Sequence, residues 1–222
     1  MLKRILSAGV LALSLYHPLW CETIHEKFKD KGRKASCEIT AKLPDQANSV
    51  LKSLTQKHIQ AFKKEYRTTD YDGEFGWYIE LNWSREFSNG QVVAYLLLEE
   101  SYQGGAHPSH SQIGVIISAS SHKQVKLSEC FKKGSPWLAS LSSFCKKKLR
   151  ENKDLTPEDI DQGAAPSAEN YSSVVPGPKG LTVYFQEYQV GPYAAGPQEV
   201  LVPYTVLAPH LDPAGPLAAF AR

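Results

Sequence analysis

This sequence contains little that would announce a reaction. Its four cysteines form no C-x-x-C pair and no zinc-type spacing, which excludes a thioredoxin-like redox motif and a structural zinc site. There is no G-x-S-x-G elbow, so a hydrolase built on that strand–turn–helix is excluded. The longest uncharged apolar run near the start, Ile5 to Leu15, is too short for a bilayer core, which needs about 20 apolar residues, so no membrane span is expected. Charge of one sign is also scarce. The net charge is +2, and the basic run Lys146-Lys147-Lys148 falls on a predicted helix, where it reads as a solvated face. A nucleic-acid binder needs clustered positive charge, so nucleic acid is not an expected partner. No repeat or low-complexity tract stands out.

What is present begins with an address. Lys3-Arg4 followed by the uncharged run to Leu15 is the pattern of a secretory signal. No A-x-A triplet follows. Cys21 invites a lipoprotein reading, but bulky Trp20 occupies the place where a lipobox needs a small residue. Cleavage after Cys21 and a mature chain from Glu22 are therefore expected, outside the cytoplasm (periplasmic or secreted). Roughly 200 residues then remain, enough for one large or two small domains. Export permits disulfides. Cys130 and Cys145 flank a short turn and helix, so a local bridge is one expectation and two buried thiols the other.

Periodicity supplies the elements. Cys37 to Leu43 alternates and ends at Pro44, a first strand, after which Asp45 is placed to cap a helix. Val50, Leu51, Leu54, His58, Phe62 and Tyr66 recur at three- and four-residue steps, one amphipathic helix over 47–66 with His58 as a packed residue on its stripe. Trp77 to Phe87 and Val92 to Tyr102 alternate around Asn89-Gly90, a hairpin signal. Another strand is expected over 113–119. A helix follows from about Pro136 to Glu151, with Leu138, Leu141, Cys145 and Leu149 inward. A short one starts at Thr156-Pro157, with Thr156 as cap. Residues 163–180 are rich in Pro, Gly, Ser and Ala and read as a loop. Strands are expected over 181–190 and 200–204, and a loose Pro/Ala-rich tail from Pro209. Helices and hairpins segregate along the chain. This favours an α+β fold, a largely antiparallel sheet packed with two main helices in two closely associated subdomains. The expected division is 1–21 signal, 22–110 first subdomain, 111–208 second, 209–222 tail.

Two segments concentrate polar and turn residues. In Tyr102-Gln-Gly104-Gly105-Ala-His107-Pro108-Ser-His110, two histidines three apart can be weighed as metal ligands with Glu99 or Glu100, the basis of an alternative metal-dependent hydrolase. A Gly-Gly after a strand is first a backbone device, however, and a loop H-x-x-H lacks the helical frame of better-known sites. Glu99 and Glu100 also point to opposite faces of a strand. The second segment, Gly191-Pro192-Tyr193-Ala-Ala-Gly196-Pro197, resembles a phosphate cradle only superficially, because its prolines remove donors.

Both segments carry a resemblance. Tyr102-x-Gly104-Gly105-Ala106-His107-Pro108, then Leu127-x-Glu129-Cys130-Phe131, then Tyr184-Phe185 to Tyr188 and Val190 to Pro197 with Pro203-Tyr204 resemble the domain-of-unknown-function family found in the extracytoplasmic part of the anti-sigma factor RsiV. The preceding strand, helix and hairpin resemble the segment before this domain in RsiV and in the peptidoglycan deacetylase PdaC. Where the family has L-x-D-L-F, Glu129 and Cys130 put a thiol in the place of an aliphatic side chain. The resemblance implies a stand-alone extracytoplasmic sensor or binding domain without catalysis, metal or cofactor. Its implied partner is an envelope protein, lysozyme or peptidoglycan, and an alternative is a structural role in envelope assembly. Candidate ligand-binding residues are Tyr102, His107, His110, Tyr188 and Tyr193. Gly104, Gly105, Pro108, Gly191, Pro192, Gly196 and Pro197 are family turn residues.

Overall fold

A computed structural model describes residues 20–45, 47–71 and 73–221. The expected signal segment, and the side chains of Trp20 and Cys21 at its end, lie outside the described residues. No described helix is long and apolar enough to cross a membrane.

Five strands form the first sheet: β1 (Trp20–Phe28), β2 (Cys37–Pro44), β3 (Trp77–Ser88), β4 (Val92–Tyr102) and β5 (Ser109–Ser118), side by side in that order. Every pairing is antiparallel except β2 with β3, which are joined by the helix α1 (Ser49–Thr68). Alternation in β3 sends Trp77, Ile79, Leu81 and Trp83 to one face, where they pack on α1. Tyr78, Glu80 and Asn82 go to the other face.

The buried stripe of α1 is Leu51, Thr55, Ile59, Phe62 and Tyr66, one step round from the expected one. Thr55 can sit at its centre because its hydroxyl donates to the Leu51 carbonyl at 2.8 Å and accepts from Trp83 Nε1 at 2.9 Å. His58 is half-buried at the stripe's margin, with Nδ1 2.5 Å from Glu99 Oε2. The cap is Asn48, not Asp45: its Oδ1 accepts from the backbone N–H groups of Val50 and Leu51 at 3.0 and 3.1 Å. Replacing Asn48 with Ala leaves those donors to water. We expect a loss of about 1 kcal/mol, read from the urea midpoint.

The second sheet is small: β6 (Val174–Pro176), β7 (Gly180–Phe185) and β8 (Gln198–Pro203), all antiparallel. It packs with α2 (Trp137–Leu149), α3 (Pro157–Gly163) and the short α4 (Tyr204–Leu207) around a second core. Thr156 caps α3 through Oγ1, which accepts from the Asp159 N–H, with Pro157 in the first turn.

Four expectations are corrected. The stretch 163–180 is more than a loop, because it carries β6 and the buried Tyr171, whose hydroxyl donates to the Ala164 carbonyl at 2.8 Å. The tail from Pro209 is packed. Leu211 and Leu217 are fully buried, Phe220 stacks on Tyr204 at 3.9 Å, and the Asp212 N–H donates to the Cys130 carbonyl. Three apolar anchors decide its state, and the Pro/Ala-rich composition hides them. Cys130 and Cys145 form no bridge and are free, buried thiols. Cys145 sits between Leu141 and Leu149 on the inner stripe of α2, where a thiol packs as a small apolar group.

Finally, the division at 110/111 cuts through β5. That strand belongs to the first sheet, and its outer edge is closed by side chains of the second subdomain. The His110 N–H donates to Glu187, the Gln112 N–H to Gln186 Oε1 and the Gly114 N–H to Ser173 Oγ, at 3.1, 2.9 and 2.9 Å. Ser173 and Gln186 in turn donate to the Gln112 carbonyl at 2.6 and 2.7 Å. An edge strand left open is a template for unwanted pairing, and here side chains take the place of a sixth strand.

Candidate functional site

The second sheet covers only half of the first sheet's outer face. Ala94 and Leu96 of β4 pack against Val175 and Tyr184. Farther along β4 the cover stops, and Leu98 remains 44% exposed. A cleft of about 680 Å³ opens there, with Asn82, Leu98, Glu100, His110 and Gln112 on the sheet side and Glu187, Tyr193 and the 194–197 turn on the other.

Strand register assembles its polar floor. Glu80 stands opposite Glu100, and Glu100 opposite His110. The Glu187 carboxylate, with only 8% of its side chain exposed, holds both ends of His110: Oε2 takes the backbone N–H and Oε1 lies 2.7 Å from Nδ1. The other ring nitrogen, Nε2, lies 3.6 Å from Glu100 Oε2. Glu100 Oε1 accepts from the Tyr78 hydroxyl at 2.7 Å, which with burial pushes that phenol up to about 12. Tyr78 stacks on Tyr102. None of the residues lining the cleft is Lys or Arg.

The two glycine-rich segments meet at one end of the cleft. His107 stacks on Tyr193 with ring centroids 3.6 Å apart, and the Tyr193 hydroxyl donates to the Pro108 carbonyl at 2.9 Å. Burial raises the Tyr193 phenol above its ordinary value, with Glu187 and Tyr188 adding to the effect. Two glycines here sit in close quarters, and Gly104 is held by its backbone angle as well. Gly104 has φ +89°, and a Cβ would lie 2.2 Å from the Tyr71 ring; at Gly191 it would lie 2.4 Å from Leu155. Gly196 turns at φ +65°, Pro197 lines the cleft, and Gly105 and Pro192 complete the paired turns. Tyr188 is 65% exposed at φ +62°, an unusual conformation for a residue of that size, and its ring lies 5.7 Å from Tyr193.

Of the sequence candidates, His110 and Tyr193 line the cleft, while His107, Tyr188 and Tyr102 stand behind or beside it. His107 and His110 have separate partners, and Glu99 turns to His58 on the opposite face. Among the described residues no group of three or more His, Cys, Asp or Glu is placed to hold a metal ion. Sequence reasoning misses Glu80, weighs Glu100 only as a metal ligand, and misses Gln112 and Glu187. Alternation in β3 and β4 is a usable signal for the first two, since it puts them on the face away from α1. No local pattern marks Glu187.

Residues 128–205 match the family described as a protein of unknown function, DUF3298. The match holds α2, α3, the second sheet and the Gly191–Pro197 turn, while the sheet side of the cleft precedes it. The peptidoglycan-N-acetylmuramic acid deacetylase PdaC of Bacillus subtilis (strain 168) is 26% identical over 220 residues, covering 90% of this chain and 47% of PdaC. The chain thus spans about half the length of that relative. A DUF3298 family member from Bacteroides fragilis NCTC 9343 superposes with a TM-score of 0.63 at 15% identity, covering 90% of this chain and 95% of the other. A second, from Pseudomonas aeruginosa PAO1, gives 0.59 at 16% identity, covering 89% and 96%. These structures share the fold of both sheets together.

Proposed function

We propose that this protein is a non-catalytic, extracytoplasmic binding module, and that its ligand is a cell-envelope glycan seated in the cleft. The observation that carries the proposal is the uncovered Leu98 floor beside a Glu100–His110–Glu187 wall. A concave site with an apolar base and a few fixed polar groups is the usual form of a small-ligand site. Sugars present apolar C–H faces and a rim of hydroxyls, and Leu98, Tyr193 and the carboxylates match both. PdaC acts on peptidoglycan by its name, and this chain is similar to about half of that protein. The implied export signal puts the ligand outside the cytoplasm. Lysozyme is the second partner to test, since the resemblance to the RsiV region implies it.

The test fills the cleft without removing a hydrogen bond. Leu98→Trp adds bulk at a half-exposed position of a regular strand. Purified protein is expected to co-sediment with peptidoglycan sacculi, and Leu98→Trp to reduce retention at least tenfold. Because the position is exposed, the melting temperature should move by only about 2 °C. Equal retention of the variant, or none of the native protein, removes the cleft or the glycan respectively. Retention on immobilised lysozyme with the same Leu98→Trp sensitivity replaces the glycan by that protein.

A further inference from the structure

We infer that the groove selects a cationic saccharide, a chain of 2-amino sugars whose nitrogen is free instead of acetylated. This rests on the glycan-binding reading and narrows it to a chemical class.

The cleft does not end at Glu100. A second depression of about 300 Å³, lined by Glu38, Thr40, Tyr78, Glu80 and Glu100, shares Glu80 and Glu100 with it. The combined groove runs across the strands along the register row Thr40, Glu80, Glu100 and His110. Four neighbouring strands span roughly 14 Å at the usual spacing, which suits more than one ring of a linear polymer.

The groove is lined by carboxylates and by no lysine or arginine, and at its far end Glu38 pairs with Lys27 at 2.8 Å. Glu80 and Glu100 stand directly opposite each other, an arrangement that works against the sheet unless a cation lies between them. The His110 ring stands between two carboxylates, Nδ1 2.7 Å from Glu187 Oε1 and Nε2 3.6 Å from Glu100 Oε2. Gln112 Oε1, in the cleft wall, is shielded from solvent and has no hydrogen-bond partner among the described residues, while its amide nitrogen donates to Glu199. Glu80, Glu100 and Gln112 Oε1 each call for a donor. An ammonium on a sugar ring offers three N–H groups and a positive charge. Acetylation removes the charge and adds a carbonyl acceptor where acceptors already crowd.

Isothermal titration of the purified chain with glucosamine tetramer and with N-acetylglucosamine tetramer decides the matter. The glucosamine tetramer is expected to bind at least tenfold more tightly. That preference should fall with added salt and disappear in Glu80→Gln and Glu100→Gln, whose melting temperatures confirm the fold. Equal or tighter binding of the acetylated tetramer overturns the selectivity and leaves the glycan reading standing. Pentalysine binding as tightly as the glucosamine tetramer, with the same sensitivity to both variants, overturns the saccharide. Binding of neither tetramer, together with no retention on sacculi, ends both readings.

Discussion

Replacing Gly114 with alanine is expected to cost at least about 3 kcal/mol and to lower the melting temperature by roughly 6–12 °C. The reason is where β5 meets the second sheet. A Cβ at Gly114 would lie 2.2 Å from the Val174 carbonyl oxygen, 2.6 Å from its carbon and 2.8 Å from its nitrogen. All three are backbone atoms of β6, so no rotamer change relieves the clash. Moving β6 away breaks the Gly114 N–H to Ser173 Oγ hydrogen bond and separates Ala94 and Leu96 from Val175 and Tyr184. A buried donor left without its partner adds its own penalty. The control is Gly90→Ala in the β3–β4 turn. There Asn89 Oδ1 accepts from the Gln91 and Val92 N–H groups at 2.8 Å, Gly90 has no positive φ, and a Cβ would meet nothing within 4 Å. That variant should change stability by less than about 0.5 kcal/mol. A Gly114→Ala protein as stable as Gly90→Ala would falsify the close approach. A cleft wall that also loosens is the natural companion effect, because Glu187 reaches His110 across the same seam.

Elements whose pattern is local are legible in the sequence. The α1 stripe and the β3–β4 alternation each repeat over ten or more residues; the β3 residues pack where periodicity puts them, and the α1 stripe lies one step round from its expected place. The errors in detail have a local cause too. Thr55 reads as polar until Trp83 supplies its partner, and Asn48 competes with Asp45 for the cap on geometry that no spacing reveals. Beyond one element, legibility falls off. Nothing in Ser173, Gln186 or Glu187 says that they close the edge of a strand more than fifty residues earlier, so pattern alone puts a domain boundary inside β5. The tail misleads for a related reason, because composition averages over Leu211, Leu217 and Phe220 and hides their burial. The candidate site shows the same division. Both turn segments are recognisable, and the structure brings them together as His107 on Tyr193. The cleft beside them depends on the register of β3 with β4 and β4 with β5, which sequence alone leaves open.

Raising the pH from 9 towards 12 should strip several kcal/mol from the folded state, and the buried thiols are the largest cause. Burial pushes Cys130 and Cys145 from the usual 9.0 up to about 12, and Cys37 from 9.0 to about 11. The folded protein therefore keeps these protons in a range where the unfolded chain has released them. Stability falls with pH wherever the unfolded state binds fewer protons, so this contribution is fully present below about 9 and is lost as pH rises through the folded values. Each tenfold gain in proton affinity on folding corresponds to about 1.4 kcal/mol, so two thiols held this far above their ordinary value rival a large part of an ordinary domain's stability of about 5–15 kcal/mol. Tyr184, also raised by burial to about 12, and Tyr171 and Tyr204, raised by the same cause, act in the same direction from about 10 upward. Urea midpoints measured at pH 8, 9, 10 and 11 should be level up to 9 and then drop. In a Cys37→Val, Cys130→Val, Cys145→Val triple variant the drop should be delayed by about one pH unit, because the tyrosines then set its start. At pH 8 the buried thiols of Cys37, Cys130 and Cys145 should resist a thiol reagent until urea unfolds the chain, since the thiolate is the reactive form. A midpoint that stays level to pH 11, or rapid labelling of Cys37, Cys130 or Cys145 in the folded protein, would show that these cysteines do not lie in the two apolar cores.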